Sequence, residues 1–435
     1  MKRIIINQLL EWKQSPIRKP LILSGARQVG KTWVLKAFGE TYFEDCVYIN
    51  FEASEIAKNL FDPNLDVHRI ISVLEIIHGK KIIPETTLII FDEIQVAKNG
   101  ITSLKYFKEN APEYHVVAAG SLLGLSLHSE ESFPVGKVDF LEIYPMSFYE
   151  YLINCNQEIL AQTLQQNNWV LLQTFHEQLI QHLRTYYFLG GMPEVLSVYF
   201  QHSDYQLART IQLSILKGYE QDFSKYAPYS IVPKIRLVWE NLIGQLSKEN
   251  KKFIYNQVKN GARAKEFEEA INWLVNAGLI TKVTRVTTPN FPLKSYTNFD
   301  VFKLFFIDLG LLAAMGNIPV SILLEKNTIM TEFKGAFSEQ FILQSLQTIS
   351  GLDIAYWTTE VGTAEIDFIV QRDNEIIPIE VKAEENLQAK SLKEYILKYN
   401  PKTAIRTSLS NYREEEKFKN IPLYGLAFAL SETKE

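Results

Sequence analysis

Two cysteines, Cys46 and Cys155, are all that 435 residues contain. With no C-x-x-C pair and no Cys/His cluster, neither a disulfide framework nor a zinc site is supported. A reducing, cytoplasmic setting is expected. No apolar run approaches the roughly 20 residues that a membrane-spanning helix needs, so no membrane contact is expected. The basic start Met1-Lys2-Arg3 is followed by the apolar Ile4 to Ile6, too short for the core of a secretion signal. Positive charge is not in excess: 45 Lys and Arg against 50 Asp and Glu give a net charge of −5. Binding to nucleic acid would therefore need a local basic patch. The guanine-reading motif N-K-x-D does not occur. What remains is ordinary globular composition, 46% hydrophobic and 22% charged. The length suits roughly two to four domains.

Against that background one stretch stands out, Gly25-Ala26-Arg27-Gln28-Val29-Gly30-Lys31-Thr32. It follows the apolar run Pro20 to Ser24 and precedes a helical pattern from Trp33 to Phe38. This is G-x-x-x-x-G-K-[ST] between a strand and a helix, the context in which the motif cradles phosphate. Gly25 and Gly30 let the backbone curl so that N–H groups along Arg27, Gln28 and Val29 face an anion. Lys31 can reach β- and γ-phosphates, and the Thr32 hydroxyl can ligate Mg²⁺ at the helix N-terminus.

A second apolar strand, Thr87 to Phe91, ends in Asp92-Glu93. Asp92 is placed to hold the Mg²⁺ shell, and Glu93 to polarise an attacking water. A further strand, Tyr114 to Ala119, ends in Gly120-Ser121. Ligands in such sheets bind beyond the carboxyl ends of the strands, so Ser121 is a candidate γ-phosphate or water contact. Strands alternating with helices predict a mostly parallel α/β sheet. The acidic pair after Phe91 suits ATP rather than GTP chemistry.

The combination GARQVGKT, LIIFDEIQ, AAGSLL and IYPMSFYEYL resembles the AAA-type P-loop ATPases of bacteria and archaea. More narrowly, it resembles those fused to a C-terminal domain of unknown function with a nuclease-like fold. The resemblance continues through YYFLGGMPEVL, NFDVFKLFFIDLGLL and EIDFIV…IEVKA, nearly the whole chain. Such proteins often carry Gly-Arg before the P-M-S-F segment. Here the pair is Gly136-Lys137, and no arginine finger is assigned.

The middle of the chain reads as helices broken at Gly190-Gly191-Met192-Pro193. From 232 onward come a helix over 233–247 and a second over 264–277. A hairpin follows, with strands from Leu279 to Val286 and back through Tyr296. Helices followed by such a hairpin suggest a winged helix. The would-be recognition helix carries Glu266, Glu268 and Glu269, which repel phosphate, so packing or protein contact is favoured over DNA reading.

In the C-terminal region a helix over 333–349 contains Glu339, and strand 364–370 carries Glu365 and Asp367 on one face. The returning strand ends in Glu380-Val381-Lys382. Asp367, twelve residues, then Glu380-x-Lys382 is the PD-(D/E)xK arrangement. In it Asp367, Glu380 and Glu339 would ligate Mg²⁺, and Lys382 would orient water and stabilise charge at phosphorus. E-x-K alone decides nothing, since Glu249-Asn250-Lys251 and Glu415-Glu416-Lys417 also fit.

The expected fold is a P-loop AAA-type parallel-sheet domain (1–155), a helical connector (156–228) and a winged-helix-like module (229–316). A restriction-endonuclease-like α/β domain follows (317–435). The expected function is ATP binding and hydrolysis whose nucleotide state controls the C-terminal domain. The alternatives are an ATP-regulated, Mg²⁺-dependent nuclease acting on DNA and a non-catalytic, nucleotide-switched adaptor. ATP and Mg²⁺ are the expected cofactors. DNA, a protein, or further copies of the chain are the candidate partners.

Overall fold

Strands β1 (Leu21–Gly25), β2 (Asp45–Asn50), β3 (Thr87–Asp92), β4 (His115–Ser121) and β5 (Asp139–Glu142) hydrogen-bond side by side. They form a parallel sheet in the order β2-β3-β4-β1-β5. The computed structural model describes residues 1–121, 133–246, 252–321, 331–359, 364–383 and 389–431. Leu122 and Leu123 of the AAGSLL motif, and residue 247 of the expected helix 233–247, lie outside them.

β1 and β3 are buried at every position, as strands covered on both faces must be. Their continuous apolar character made them legible in sequence. β5 alternates half-buried and exposed residues over only four positions, and its sequence signal is correspondingly weak. Helices Lys31–Tyr42, Val67–His78 and Gly100–Asn110 connect the strands. Asp66 caps the second of these by accepting from the Arg69 N–H. Phe51, Phe61 and Phe91 pack ring to ring with centroids 5.5–5.8 Å apart in the core beside β2 and β3.

The chain divides into two compact units, residues 1–144 with 276–278, and residues 145–275 with 279–435. The second begins with helix Phe148–Asn154, closed by a capping box between Ser147 and Glu150. Helices His176–Leu189, Pro193–His202, Tyr205–Tyr226, Val232–Leu246 and Ala264–Asn276 follow. A mixed sheet then contains β6 (Ile280–Val286), β7 (Thr297–Phe306), β8 (Asp353–Thr358) and β9 (Glu365–Arg372). It is completed by β10 (Glu375–Val381), β11 (Ile405–Ser408), β12 (Arg413–Glu414) and β13 (Lys419–Pro422). The order is β12-β13-β11-β10-β9-β8-β6-β7.

Two details differ from the sequence expectation. The returning strand of the hairpin starts at Thr297, because Leu293–Tyr296 form a 3₁₀ turn. The hairpin is also not a free wing. β6 pairs in parallel with β8, setting Arg285 opposite Tyr356 and Val286 opposite Trp357. The expected boundary at 316/317 therefore falls between strands of one sheet. Hydrophobic periodicity shows that a hairpin exists, but not which edge it joins.

A buried polar knot ties the second unit together. Asp308 accepts from the Gly191 N–H at 2.6 Å and from the Leu311 N–H at 2.9 Å, capping helix Leu309–Met315. Gln344, on helix Thr331–Leu346, accepts from the Leu309 N–H at 3.2 Å. Gln340 bonds both the N–H and C=O of Phe306. The Gly-Gly break is thus a packing requirement. A Cβ on Gly190 would lie 2.1 Å from Asp308 Oδ1, and one on Gly191 2.1 Å from the Met146 carbonyl.

Candidate functional site

The phosphate-cradle motif forms the turn between β1 and helix Lys31–Tyr42. Gly30 is left-handed at φ 93°, as the tight turn demands, and Gln28 is also at positive φ, 65°. Gly25 is needed for a different reason, since a Cβ there would sit 2.4 Å from the Ile143 carbonyl. Val29 is fully buried, and its carbonyl accepts from Arg3 Nη1 at 2.9 Å. Arg3 Nη2 bonds the Tyr144 carbonyl at 2.7 Å. An N-terminal residue that the sequence did not single out therefore braces the loop from behind.

Lys31 is almost fully buried and donates to the carbonyls of Gly25 (2.9 Å) and Ala26 (2.8 Å). Burial pushes its ammonium down to about 8, against the pull of Glu93 and Asp92 and with help from Arg27. A buried cation held by carbonyl dipoles is poised for an anion.

Asp92, at the end of β3, is the hub. Its Oδ2 accepts from the Thr32 hydroxyl at 2.9 Å and from the Tyr48 hydroxyl at 2.7 Å. Burial first, then the bond to Asp92, pushes the Tyr48 phenol up to about 12, so it stays a donor. Lys36 Nζ lies 3.7 Å over the Tyr48 ring. Glu93 adopts φ 53° just past the strand, and its Oε2 accepts from Gln95 Nε2 at 2.5 Å. Sequence reasoning missed Tyr48 and Gln95. The available signal for Tyr48 was a polar-tipped residue inside the apolar run Val47 to Phe51.

Sheet order brings these parts together. β4 lies between β1 and β3, with Ser121 the register partner of Gly25 and Ala119 that of Asp92. The backbone of Ser121 thus sits beside the loop. Lys137, where the resemblance would place an arginine, pairs with Glu109 at 3.0 Å. Thr32 and Asp92 are hard oxygen donors meeting at a helix N-terminus, a donor set that fits Mg²⁺.

One family model agrees with this geometry. Residues 17–152 match a family model described as an AAA domain. Residues 180–321 and 334–426 match two models described as domains of unknown function, DUF8612 and DUF4143. No curated protein matches the chain. Among solved structures, the Walker-type ATPase PABY2304 of Pyrococcus abyssi aligns at 14% identity and TM-score 0.44. That alignment covers 72% of this chain and 95% of the other. The Orc1 protein of Aeropyrum pernix, solved in complex with DNA, aligns at 13% identity and TM-score 0.28. It covers 74% of this chain and 93% of the other. With scores below 0.5 these superpositions are loose. Residues 17–152 thus combine the AAA-domain match with a parallel sheet and the P-loop turn. Among the described residues no helix is long and apolar enough to cross a membrane.

The second candidate centre lies on the mixed sheet. Antiparallel β9 and β10 pair as far as Ile379 opposite Phe368, and Glu380 and Asp367 are the residues next to that last pair. The Val381 N–H donates to Asp367 Oδ2 at 2.8 Å, and Lys382 Nζ pairs with Glu380 Oε1 at 2.7 Å. Glu380 Oε2 is buried with no hydrogen-bond partner among the described residues. Glu339, on helix Thr331–Leu346, points instead at Lys303 Nζ, 3.7 Å away. Lys303 comes from β7, is fully buried, and contacts Glu365 Oε1 at 2.5 Å. Among the described residues no group of three or more His, Cys, Asp or Glu side chains is arranged to hold a metal ion. The order of residues expected for a Mg²⁺ centre is present in the sequence.

Proposed function

We propose that the N-terminal unit binds Mg·ATP and hydrolyses it, and that nucleotide state acts on the partner-binding behaviour of the C-terminal region. Gly25 to Thr32 would hold the phosphates, with Lys31 on the terminal ones, and Thr32 and Asp92 would hold Mg²⁺. Bound there, the ion would neutralise charge developing on the phosphates. Glu93, just beyond Asp92, would take the proton of the attacking water, and Ser121 would contact the terminal phosphate. One observation carries this reading. Lys31, Thr32 and Asp92 converge at the carboxyl ends of β1 and β3, with the Ser121 backbone beside Gly25.

The testing experiment is steady-state ATP hydrolysis by wild type, Lys31→Ala and Glu93→Gln, with nucleotide binding measured in parallel. Hydrolysis should vanish in both variants, while Glu93→Gln still binds ATP. Hydrolysis that survives Glu93→Gln removes the assigned base, and hydrolysis unchanged in Lys31→Ala removes the site. Limited proteolysis of residues 145–435 with and without ATP tests the output. Identical patterns would sink the switch.

A further inference from the structure

Lys303 is the one charged residue in the run Val301-Phe302-Lys303-Leu304-Phe305-Phe306. Its side chain is completely buried, which a cation tolerates only when compensated. Compensation comes from two other elements. Glu365 Oε1 on β9 lies 2.5 Å from the nitrogen, and Glu339 Oε2 on helix Thr331–Leu346 lies 3.7 Å away. The Tyr356 ring sits 4.9 Å from it, presenting a π face.

The nitrogen therefore stands between Glu365 and Glu339, the latter one of the expected Mg²⁺ ligands. The rest of the expected set is also engaged. Asp367 Oδ2 accepts from Val381, and Glu380 Oε1 holds Lys382.

We propose that Lys303 is the counter-ion of this cluster and takes the part a divalent cation would otherwise play, so that the C-terminal centre takes no such ion. A dication brought beside a buried ammonium meets like-charge repulsion in a medium that screens poorly. Expelling Lys303 instead would leave buried carboxylates uncompensated. The order Asp367…Glu380-x-Lys382 then serves architecture, and the region acts by binding rather than by cutting.

The test uses the full chain without nucleotide, titrated with Mn²⁺ and read as free Mn²⁺ by electron paramagnetic resonance. Wild type should show no site of millimolar or tighter affinity that Asp367→Asn or Glu380→Gln abolishes. Lys303→Met should melt well below wild type. The double variant Lys303→Met/Glu365→Gln, which removes both partners, should regain at least half of that shift. A wild-type Mn²⁺ site lost in Asp367→Asn overturns the proposal, as does a Lys303→Met protein with an unchanged melt. If Lys303→Met fails to fold, the comparison of wild type with Asp367→Asn still decides the matter.

Discussion

The Gly191 N–H donates to Asp308 Oδ2 at 2.6 Å, joining two motifs 117 positions apart through one buried bond. Asp308 also caps helix Leu309–Met315, and the space it occupies excludes a side chain at Gly190, while the Met146 backbone excludes one at Gly191. Gly191→Ala should therefore destabilise the chain by about 2–4 kcal/mol in urea unfolding, since its Cβ meets backbone that cannot retreat.

Burial pushes Asp308 up to about 6, from an ordinary 3.8. A carboxyl whose folded value is raised contributes stability that is full below pH 3.8 and lost as pH rises through 6. Wild type should accordingly lose stability between pH 4 and 6 relative to Asp308→Asn, in unfolding curves taken across that range. A constant difference would mean that Asp308 does not titrate there.

Lys31 reads the other way. Its folded value, about 8, lies below the ordinary 10.5, so between these limits the unfolded chain binds more protons and stability rises with pH. Nucleotide needs the charged form. Fluorescent-ATP affinity should hold up to pH 8 and then weaken, approaching about tenfold per pH unit. Lys31→Met should abolish both trends.

Glu93→Gln should lower the turnover number by about 100-fold or more while nucleotide affinity changes little. The measurement is a phosphate-release assay beside equilibrium binding. Equal losses in both would assign Glu93 to binding instead.

Tyr48 shares Asp92 Oδ2 with Thr32 and acts on the site through that carboxylate. Tyr48→Phe keeps the ring under Lys36 but removes the donor. The Mg²⁺ concentration for half-maximal hydrolysis should rise about tenfold, with ATP binding in chelator unchanged. An unchanged Mg²⁺ dependence would leave Tyr48 with a packing role.

What the sequence determined by itself is local. The spacing from Gly25 to Thr32, the apolar strand before Asp92-Glu93 and the order Glu339, Asp367, Glu380, Lys382 follow from backbone geometry and short-range periodicity. These sufficed for the P-loop turn and the parallel core. Pairing and register across long separations are invisible to periodicity, and the tertiary structure decided them. It set Ser121 opposite Gly25, brought the Ile143 carbonyl against Gly25, and joined β6 to β8. It also carried Lys303 from a hairpin strand into a carboxylate cluster on other elements. Four residues in sequence order describe a metal centre, but a fifth charge, buried and arriving from elsewhere, changes what the cluster can hold, because at such short range in a poorly screening interior the nearest cation dominates.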